Sequence, residues 1–277
     1  MLKQVLGSML TPQETAQVYS AFDQIGDIVI IKIPDELMPK KKLIANAILA
    51  NIKTAKTVFA QVSPVRGDYR VRDLEFITGE NKTITEHKEH ACRFKVDVAK
   101  TYFSPRLSTE RQRIAGMVGD NETIVNMFAG VGTYSVVMAK ANKTCKVYSI
   151  DSNSIANELD RINAKLNKVQ DRVVSICGDA AEVIKDGLVG QADRVLMPLP
   201  ERAREFVDSA VLALKQKGIV HYFVHIKAEG KKASQEMGLK ETQETFAKYD
   251  YHVMGVRVVR EVGPRIYQIV ADVSVRR

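Results

Sequence analysis

The 277-residue chain has no tryptophan, three cysteines and no internal repeat or low-complexity tract. Its longest apolar runs fall well short of the roughly 20 residues that span a bilayer, which excludes a membrane-spanning helix. The first ten residues, MLKQVLGSML, carry one Lys and too short an apolar stretch for a signal peptide. Cys92, Cys145 and Cys177 are odd in number and widely scattered. That argues against a disulfide framework and against a cysteine-rich zinc site. Without tryptophan or clustered aromatics there is no stacking platform of the kind that grips single-stranded nucleic acid. The expectation is a cytoplasmic protein with reduced thiols, a monomer that uses neither membrane nor metal.

What is present is a globular composition, 45% hydrophobic and 27% charged. The 41 Lys+Arg against 33 Asp+Glu give a net charge of +8, which permits a polyanionic partner without demanding one. The length suits about two domains, or one large α/β domain. Pro12–Phe22 reads as a helix, with Thr11 as N-cap and Pro12 at the first helical position. Ile28–Ile33 reads as a buried strand and Lys41–Lys53 as a helix, with strand-like pieces at Thr57–Val62, Leu74–Ile77 and Phe94–Val98. Residues 1–104 therefore form a small α+β domain, and Ser104-Pro105 marks the boundary.

Residues 105–277 alternate strand and helix. Strands are read at Thr123–Met127, Lys146–Ile150, Val173–Cys177, Arg194–Met197 and Ile219–Val224. Amphipathic stretches lie between them, one carrying Ile155, Leu159, Ile162 and Leu166, another Phe206, Val207, Ala210, Val211 and Leu214. That alternation means βαβ units and a parallel sheet. His252–Val259 and Ile266–Val275 also read as strands, yet only Arg260–Arg265 separates them. A parallel crossover needs a dozen or more residues, so this pair is antiparallel. The predicted fold class is α/β: a Rossmann-like class I adenosylmethionine-dependent methyltransferase domain with an antiparallel last strand.

After the first of these strands comes Asn126-Met127-Phe128-Ala129-Gly130-Val131-Gly132-Thr133-Tyr134-Ser135. Two glycines two apart let the backbone turn tightly and approach a ligand at a helix start. The dinucleotide fingerprint needs a third glycine where Ser135 stands, which counts against a nicotinamide cofactor. Asp151, ending the second strand, can accept hydrogen bonds from both hydroxyls of a ribose. Alone it would pass as an anion at a helix start, with Ser152, Asn153 and Ser154 following. Gly178-Asp179 ends the third strand, where an adenine edge would lie. Three turns at one sheet edge point to a nucleoside-containing cofactor.

These residues resemble a known family. Tyr102-Phe103-Ser104-Pro105-Arg106-Leu107, Glu110-Arg111, Met127–Gly132, Tyr148–Asp151 and Met197-Pro198-Leu199-Pro200 are similar to the archaeal and eukaryotic tRNA (guanine-37-N1)-methyltransferases and their wyosine-pathway relatives. The similarity runs from about Gly26 to the C-terminus and includes Asp68-Tyr69-Arg70-Val71-Arg72. The resemblance implies S-adenosyl-L-methionine as cofactor, tRNA as partner and methylation of the base at position 37. It places Glu110 as general base and Arg70 as the arginine facing the guanine carbonyl. The implied cofactor-binding set is Tyr102, Arg111, Phe128, Ala129, Gly130, Gly132, Asp151, Asn153, Asp179 and Pro198. The substrate-binding set is Arg70, Arg106, Pro198 and Pro200. From spacing alone Glu110 is an exposed first-turn helix residue behind the cap candidates Ser108 and Thr109, and Arg70 is one of two solvated strand arginines.

Three departures from the family pattern stand out. Asn126 replaces an Asp, removing a negative charge near the cofactor. Pro198 replaces the Asn of an Asn-Leu-Pro motif, and a proline offers the base no amide. Third, the stretch before Gly26 is expected to be too short for the domain with which many relatives check the tRNA elbow. The first expectation is N1-methylation of guanosine 37. Alternatives are C7-methylation of the tricyclic precursor 4-demethylwyosine, aminocarboxypropyl transfer in wybutosine synthesis, and a non-catalytic tRNA-binding module on a methyltransferase fold. A small-molecule methyltransferase would leave the first domain without a purpose. Lys40–Lys42, Arg70/Arg72, Arg202/Arg204, Arg257/Arg260/Arg265 and Arg276-Arg277 are candidate phosphate contacts. His221 and His225, four apart on one strand face, read as structural.

Overall fold

A computed structural model of the chain describes residues 6–19, 21–63, 67 and 70–277. Asp68 and Tyr69 of the Asp-Tyr-Arg-Val-Arg run lie outside the described residues, as does Ser20 of the predicted first helix. The chain divides into two compact units, Met1–Pro105 and Arg106–Arg277.

In the first unit the sheet is β1 (Asp23–Ile25), β2 (Ile28–Ile31), β3 (Thr57–Gln61) and β4 (Leu74–Gly79), in that spatial order. Helix α1 (Pro12–Gln17) opens on Thr11, whose hydroxyl accepts from the Glu14 N–H while the Glu14 carboxylate accepts from the Thr11 N–H. This capping box satisfies two donors at once. The helix stops short of the predicted Phe22 because Val18 already has extended dihedrals. Helix α2 (Lys41–Asn51) makes the crossover between the parallel strands β2 and β3, burying Ile44, Ala45, Ala47 and Ile48. A separate hairpin, β5 (Ile84–Glu89) with β6 (Cys92–Asp97), completes the unit. Its first strand, absent from the sequence reading, carries Thr85, His87 and Lys88 on both faces and little apolar alternation.

The second unit is one seven-stranded sheet. Its strands are β7 (Thr123–Asn126), β8 (Lys146–Asp151), β9 (Val173–Cys177), β10 (Ala192–Met197), β11 (Leu214–Lys227), β12 (Asp250–Gly263) and β13 (Ile266–Arg276), in the order 12-13-11-10-7-8-9. All neighbouring pairs from β11 to β9 are parallel, and β13 runs antiparallel to both β11 and β12. The reversed last strand is thus inserted beside β11, leaving β12 at the edge. Seven consecutive residues of β13, Tyr267–Val273, are buried, as expected of a strand covered on both faces.

The helices are α3 (Ser108–Ala115), α4 (Thr133–Ala141), α5 (Ser154–Leu166), α6 (Ala180–Gly187), α7 (Val207–Ala213) and α8 (Lys231–Phe246). Helix α8 escaped the sequence reading. Its buried residues are Ser234, Gly238, Thr242 and Phe246, a stripe too polar to show as amphipathic. A Cβ at Gly238 would stand 2.9 Å from Ile269 Cγ2, so the helix lies close on β13 because nothing projects there.

Candidate active site

The carboxyl ends of β10, β7, β8 and β9 lie side by side, the arrangement that opens a ligand crevice in such sheets. The turn after β7 is tied to both neighbours: the Met127 N–H donates to the Leu196 carbonyl at 3.0 Å and the Ala129 N–H to that of Ile150 at 2.8 Å. Gly130 (φ 56°) and Gly132 (φ 81°) take the left-handed conformation that releases the chain into α4. Asp151, ending β8, accepts from the Gly130 N–H at 2.6 Å through Oδ2 and from the Asn153 N–H at 2.9 Å through Oδ1. Each oxygen keeps a further lone pair. A fixed, half-buried carboxylate of that kind fits a vicinal diol. Burial pushes its proton affinity up, against the two backbone N–H groups that favour the charge.

Asn153 caps α5 through the Ile155 and Ala156 N–H groups, and Asp179 caps α6 through those of Ala181 and Glu182. Both cofactor candidates therefore also start helices. Half-buried Phe128 meets Phe206 edge-on, with ring centroids 5.0 Å apart. Pro198 follows the last residue of β10 and is half-buried, and Pro200 is buried. Asn126 is fully buried and donates to Ser135 Oγ at 3.1 Å, which itself lies 2.8 Å from Ser149 Oγ. A carboxylate at 126 would sit among these hydroxyls within the core, so the neutral amide is a core residue as well as a neighbour of the turn.

Glu110 is 2% exposed, against the exposed position its spacing gives it. Leu107 occupies the N-cap position of α3 and makes no side-chain cap, so Ser108 and Thr109 are not caps but first-turn residues. The carboxylate is gripped by Arg113 one turn on, with Nη2 to Oε1 at 2.6 Å and Nε to the two oxygens at 2.9 and 3.1 Å. Burial raises its proton affinity above the usual glutamate range, although Arg113 and Arg257 pull it down. Arg111 is likewise buried in α3, whereas Arg106 is exposed in the 3-10 turn Pro105–Leu107.

In the first unit, Arg70 is not a solvated strand residue. It sits in a turn at φ 52°, with its guanidinium 4.0 Å from the centre of the Tyr102 ring. That cation–π contact brings two predicted site residues together. Arg72 is also engaged, with Asp23 at 3.2 Å and Gln61 at 3.1 Å. Arg113, Asp272 and His221, which prove to stand behind Glu110, are missing from the predicted set. Their only sequence signal is a histidine and a carboxylate in otherwise apolar strands.

The reversed strand beside β11, the glycine turn and the acidic end of β8 together define a Rossmann-like adenosylmethionine-dependent methyltransferase. Residues 85–254 match the TRM5/TYW2 methyltransferase domain and residues 2–83 the TYW2 N-terminal domain. The chain belongs to the TRM5/TYW2 methyltransferase family. The match begins well before Gly26, where the sequence reading placed it.

The chain is 40% identical over 267 residues to the tRNA (guanine(37)-N(1))-methyltransferase Trm5b of Pyrococcus abyssi, covering 95% of this chain and 78% of that one. It is 34% identical to the tRNA 4-demethylwyosine(37)-methyltransferase Taw21 of Saccharolobus solfataricus, covering 95% and 96%. Among solved structures, aTrm5 in complex with tRNALeu superimposes with a TM-score of 0.85 at 35% identity, covering 99% of this chain and 78% of that one. Pyrococcus horikoshii TYW2, solved with MeSAdo, gives 0.78 at 28% identity, covering 99% and 98%. S-adenosylmethionine is the cofactor of this family, and the Asp151 carboxylate and glycine turn fit it. Among the described residues no helix is long and apolar enough to cross a membrane, and no cluster of His, Cys, Asp and Glu could hold a metal ion.

Proposed function

We propose that this chain is a cytoplasmic tRNA methyltransferase acting on the base at nucleotide 37, with N1 of guanosine as its first target. The observation that carries this reading is Glu110: a buried carboxylate of raised proton affinity, on the helix that follows the Phe-Ser-Pro-Arg-Leu motif. Guanine N1 is a poor nucleophile until its proton leaves. Glu110 takes that proton as N1 forms the new N–C bond and the methyl's C–S bond breaks, its electron pair staying on sulfur, and later releases the proton to solvent. The family resemblance assigns Arg70, steadied on Tyr102, to the carbonyl O6, where a guanidinium stabilises the charge that gathers. Bound adenosylmethionine supplies a methyl already activated on a sulfonium. Asp151 would hold its ribose, with the Phe128–Gly132 turn, Asn153 and Asp179 as the other residues that would bind it. Residues 1–104 position the tRNA together with Arg106, and the net charge of +8 serves its phosphates. A base stacked in the anticodon loop must be splayed out to reach such a site.

Pro198 favours a second reading. Where the guanine-N1 pattern has an amide, this chain has an apolar ring without a donor. That substitution suits a larger, tricyclic base, methylated at C7. Mass spectrometry after incubation with S-adenosylmethionine separates the two. A transcript with guanosine 37 gaining one methyl supports the first reading. Methylation of the 4-demethylwyosine tRNA alone moves the assignment to C7, and methylation of neither tRNA overturns both.

A further inference from the structure

Glu110 is the first member of an unbroken line of hydrogen-bonded polar side chains running through the second unit. Arg113 bridges two carboxylates, donating to Glu110 Oε1 at 2.6 Å through Nη2 and to Asp272 Oδ2 at 2.6 Å through Nη1. Asp272 Oδ1 lies 2.6 Å from His221 Nδ1, and His221 Nε2 lies 2.7 Å from Arg194 Nη1. Arg194 then donates to Glu122 at 2.7 and 2.9 Å and to the Met117 carbonyl at 2.7 Å. His221, Arg194 and Glu110 are all at most 2% exposed; the line reaches the surface at Glu122 and, at its other end, through Arg257, 3.6 Å from Glu110 Oε2.

The proton positions follow from which groups only donate. A guanidinium has no acceptor, so His221 Nε2 accepts from Arg194 and carries no hydrogen. The ring proton is then on Nδ1 and is donated to Asp272. A second ring proton would set an N–H against the Arg194 N–H. Burial lowers the His221 proton affinity further, and Asp272, despite its own burial, is held well below the usual carboxylate range by His221 and Arg113. The imidazole is therefore neutral. The hydrogen-bonded members, three carboxylates and two guanidiniums, carry one excess negative charge, which a low-dielectric interior disfavours and which solvent-exposed Arg257, 3.6 Å from Glu110, offsets only in part. Asp272 is held ionised by several donors, and Glu122 accepts from Arg194 and the Gly119 N–H. Glu110 is faced by Arg113 from its own helix, by Arg257 from β12 and by the like charge of Asp272 from β13.

We propose that Asp272, His221, Arg194 and Glu122 are positioning residues that set the proton affinity of Glu110: the hydrogen-bonded members hold one negative charge too many, and Glu110, which shares Arg113 with Asp272, is the member placed to discharge it by taking a proton. The catalytic meaning of this arrangement rests on the reading of Glu110 as the base.

The test is direct titration of Glu110 in the full chain labelled with 13Cδ-glutamate, its resonance assigned through Glu110→Gln. Asp272→Asn removes the like charge and leaves Arg113 to Glu110 alone, so the Glu110 midpoint falls by about one pH unit. Glu122→Gln, at the solvent end, makes the line neutral beforehand and moves the midpoint the same way by less. It also decides the matter if Asp272→Asn does not fold. Unmoved midpoints in the variants that fold overturn the proposal. The pH limb of single-turnover methyl transfer is followed in parallel, on whichever of the two tRNAs is methylated. A limb that stays while the Glu110 midpoint moves supports the charged line and removes Glu110 as the base. A limb that follows Glu110 in the parent chain, with midpoints unmoved in the variants, keeps the base and sinks the line.

Discussion

A Cβ on Gly132 would stand 1.8 Å from Asp160 Oδ1, so a buried carboxylate on α5 decides which residue the cofactor turn can carry. The same glycine sits at φ 81°, a conformation costing a residue with a side chain about 1–2 kcal/mol. Gly132→Ala has to change the turn, displace Asp160, or both. The expected outcome is a lower Tm together with at least a tenfold loss of S-adenosylmethionine affinity by isothermal titration. An unchanged dissociation constant would show that the turn does not touch the cofactor.

Asp160 carries a prediction of its own. Burial raises its proton affinity to about 6; the Ser149 and Ser175 hydroxyls offset part of this without completing a well-formed hydrogen bond. The ordinary value is 3.8. Below about pH 4 the carboxyl is protonated in both folded and unfolded chains and costs nothing. As pH rises from 4 to 6 the unfolded chain ionises first, so folding stability falls, and above pH 6 the full deficit of about 3 kcal/mol is present. Asp160→Asn removes the charge at nearly constant shape. It should stabilise the protein at pH 7 and make little difference at pH 4. Urea midpoints at the two pH values check this; equal gains at both would contradict it.

The shape of the turn was legible in the sequence, and the reason is distance along the chain. Gly130, Gly132 and Asp151 lie within one strand–helix–strand unit, Gly130 and Asp151 only 21 positions apart. The reversed strand was legible because six residues cannot make a parallel crossover. The line behind Glu110 joins positions 110, 113, 122, 194, 221 and 272, which only the completed sheet brings together. From spacing, His221 could be read as a core residue but not as the neutral link between two charges. Helix α8 was illegible for another reason: a glycine and two hydroxyls occupy its packed face.

Asp151 is the residue whose loss should separate cofactor binding from chemistry. Its oxygens are held by Gly130 and Asn153, so Asp151→Asn sets an amide group against a backbone N–H as well as weakening acceptance from the ribose. Hydrogen bonds to a charged group are worth about 1.5–3 kcal/mol, roughly a 10- to 100-fold change in affinity. Titration with S-adenosylmethionine should show that loss. Single-turnover rates at saturating cofactor should fall much less. The reverse pattern would place Asp151 in catalysis.

Glu110→Gln should show the opposite split. The amide keeps the size of the side chain but cannot take a proton, so turnover should fall by about 10²- to 10⁴-fold while cofactor affinity stays within a few-fold. In the parent chain the rate should rise with pH through the Glu110 titration, at a midpoint above the usual glutamate range because the group is buried. That limb should be missing from the residual activity of the variant. Retained turnover would exclude Glu110 as the base.

Pro198 bears on which base is methylated. It follows Met197 at the carboxyl end of β10, the strand paired with the one that carries the glycine turn. Restoring an amide with Pro198→Asn gives the crevice both a donor and an acceptor for a base edge, at the loss of a rigid apolar wall. A site built to hydrogen-bond a polar edge discriminates strongly against a partner that leaves those groups unpaired. The variant should therefore gain activity on a guanosine-37 transcript relative to 4-demethylwyosine tRNA, measured as the ratio of kcat/KM values in a competition assay. A tenfold rise in that ratio would identify position 198 as the selector between the two bases. No change would mean that the choice is made elsewhere on the crevice rim, with Pro200 and Arg106 the next residues to vary.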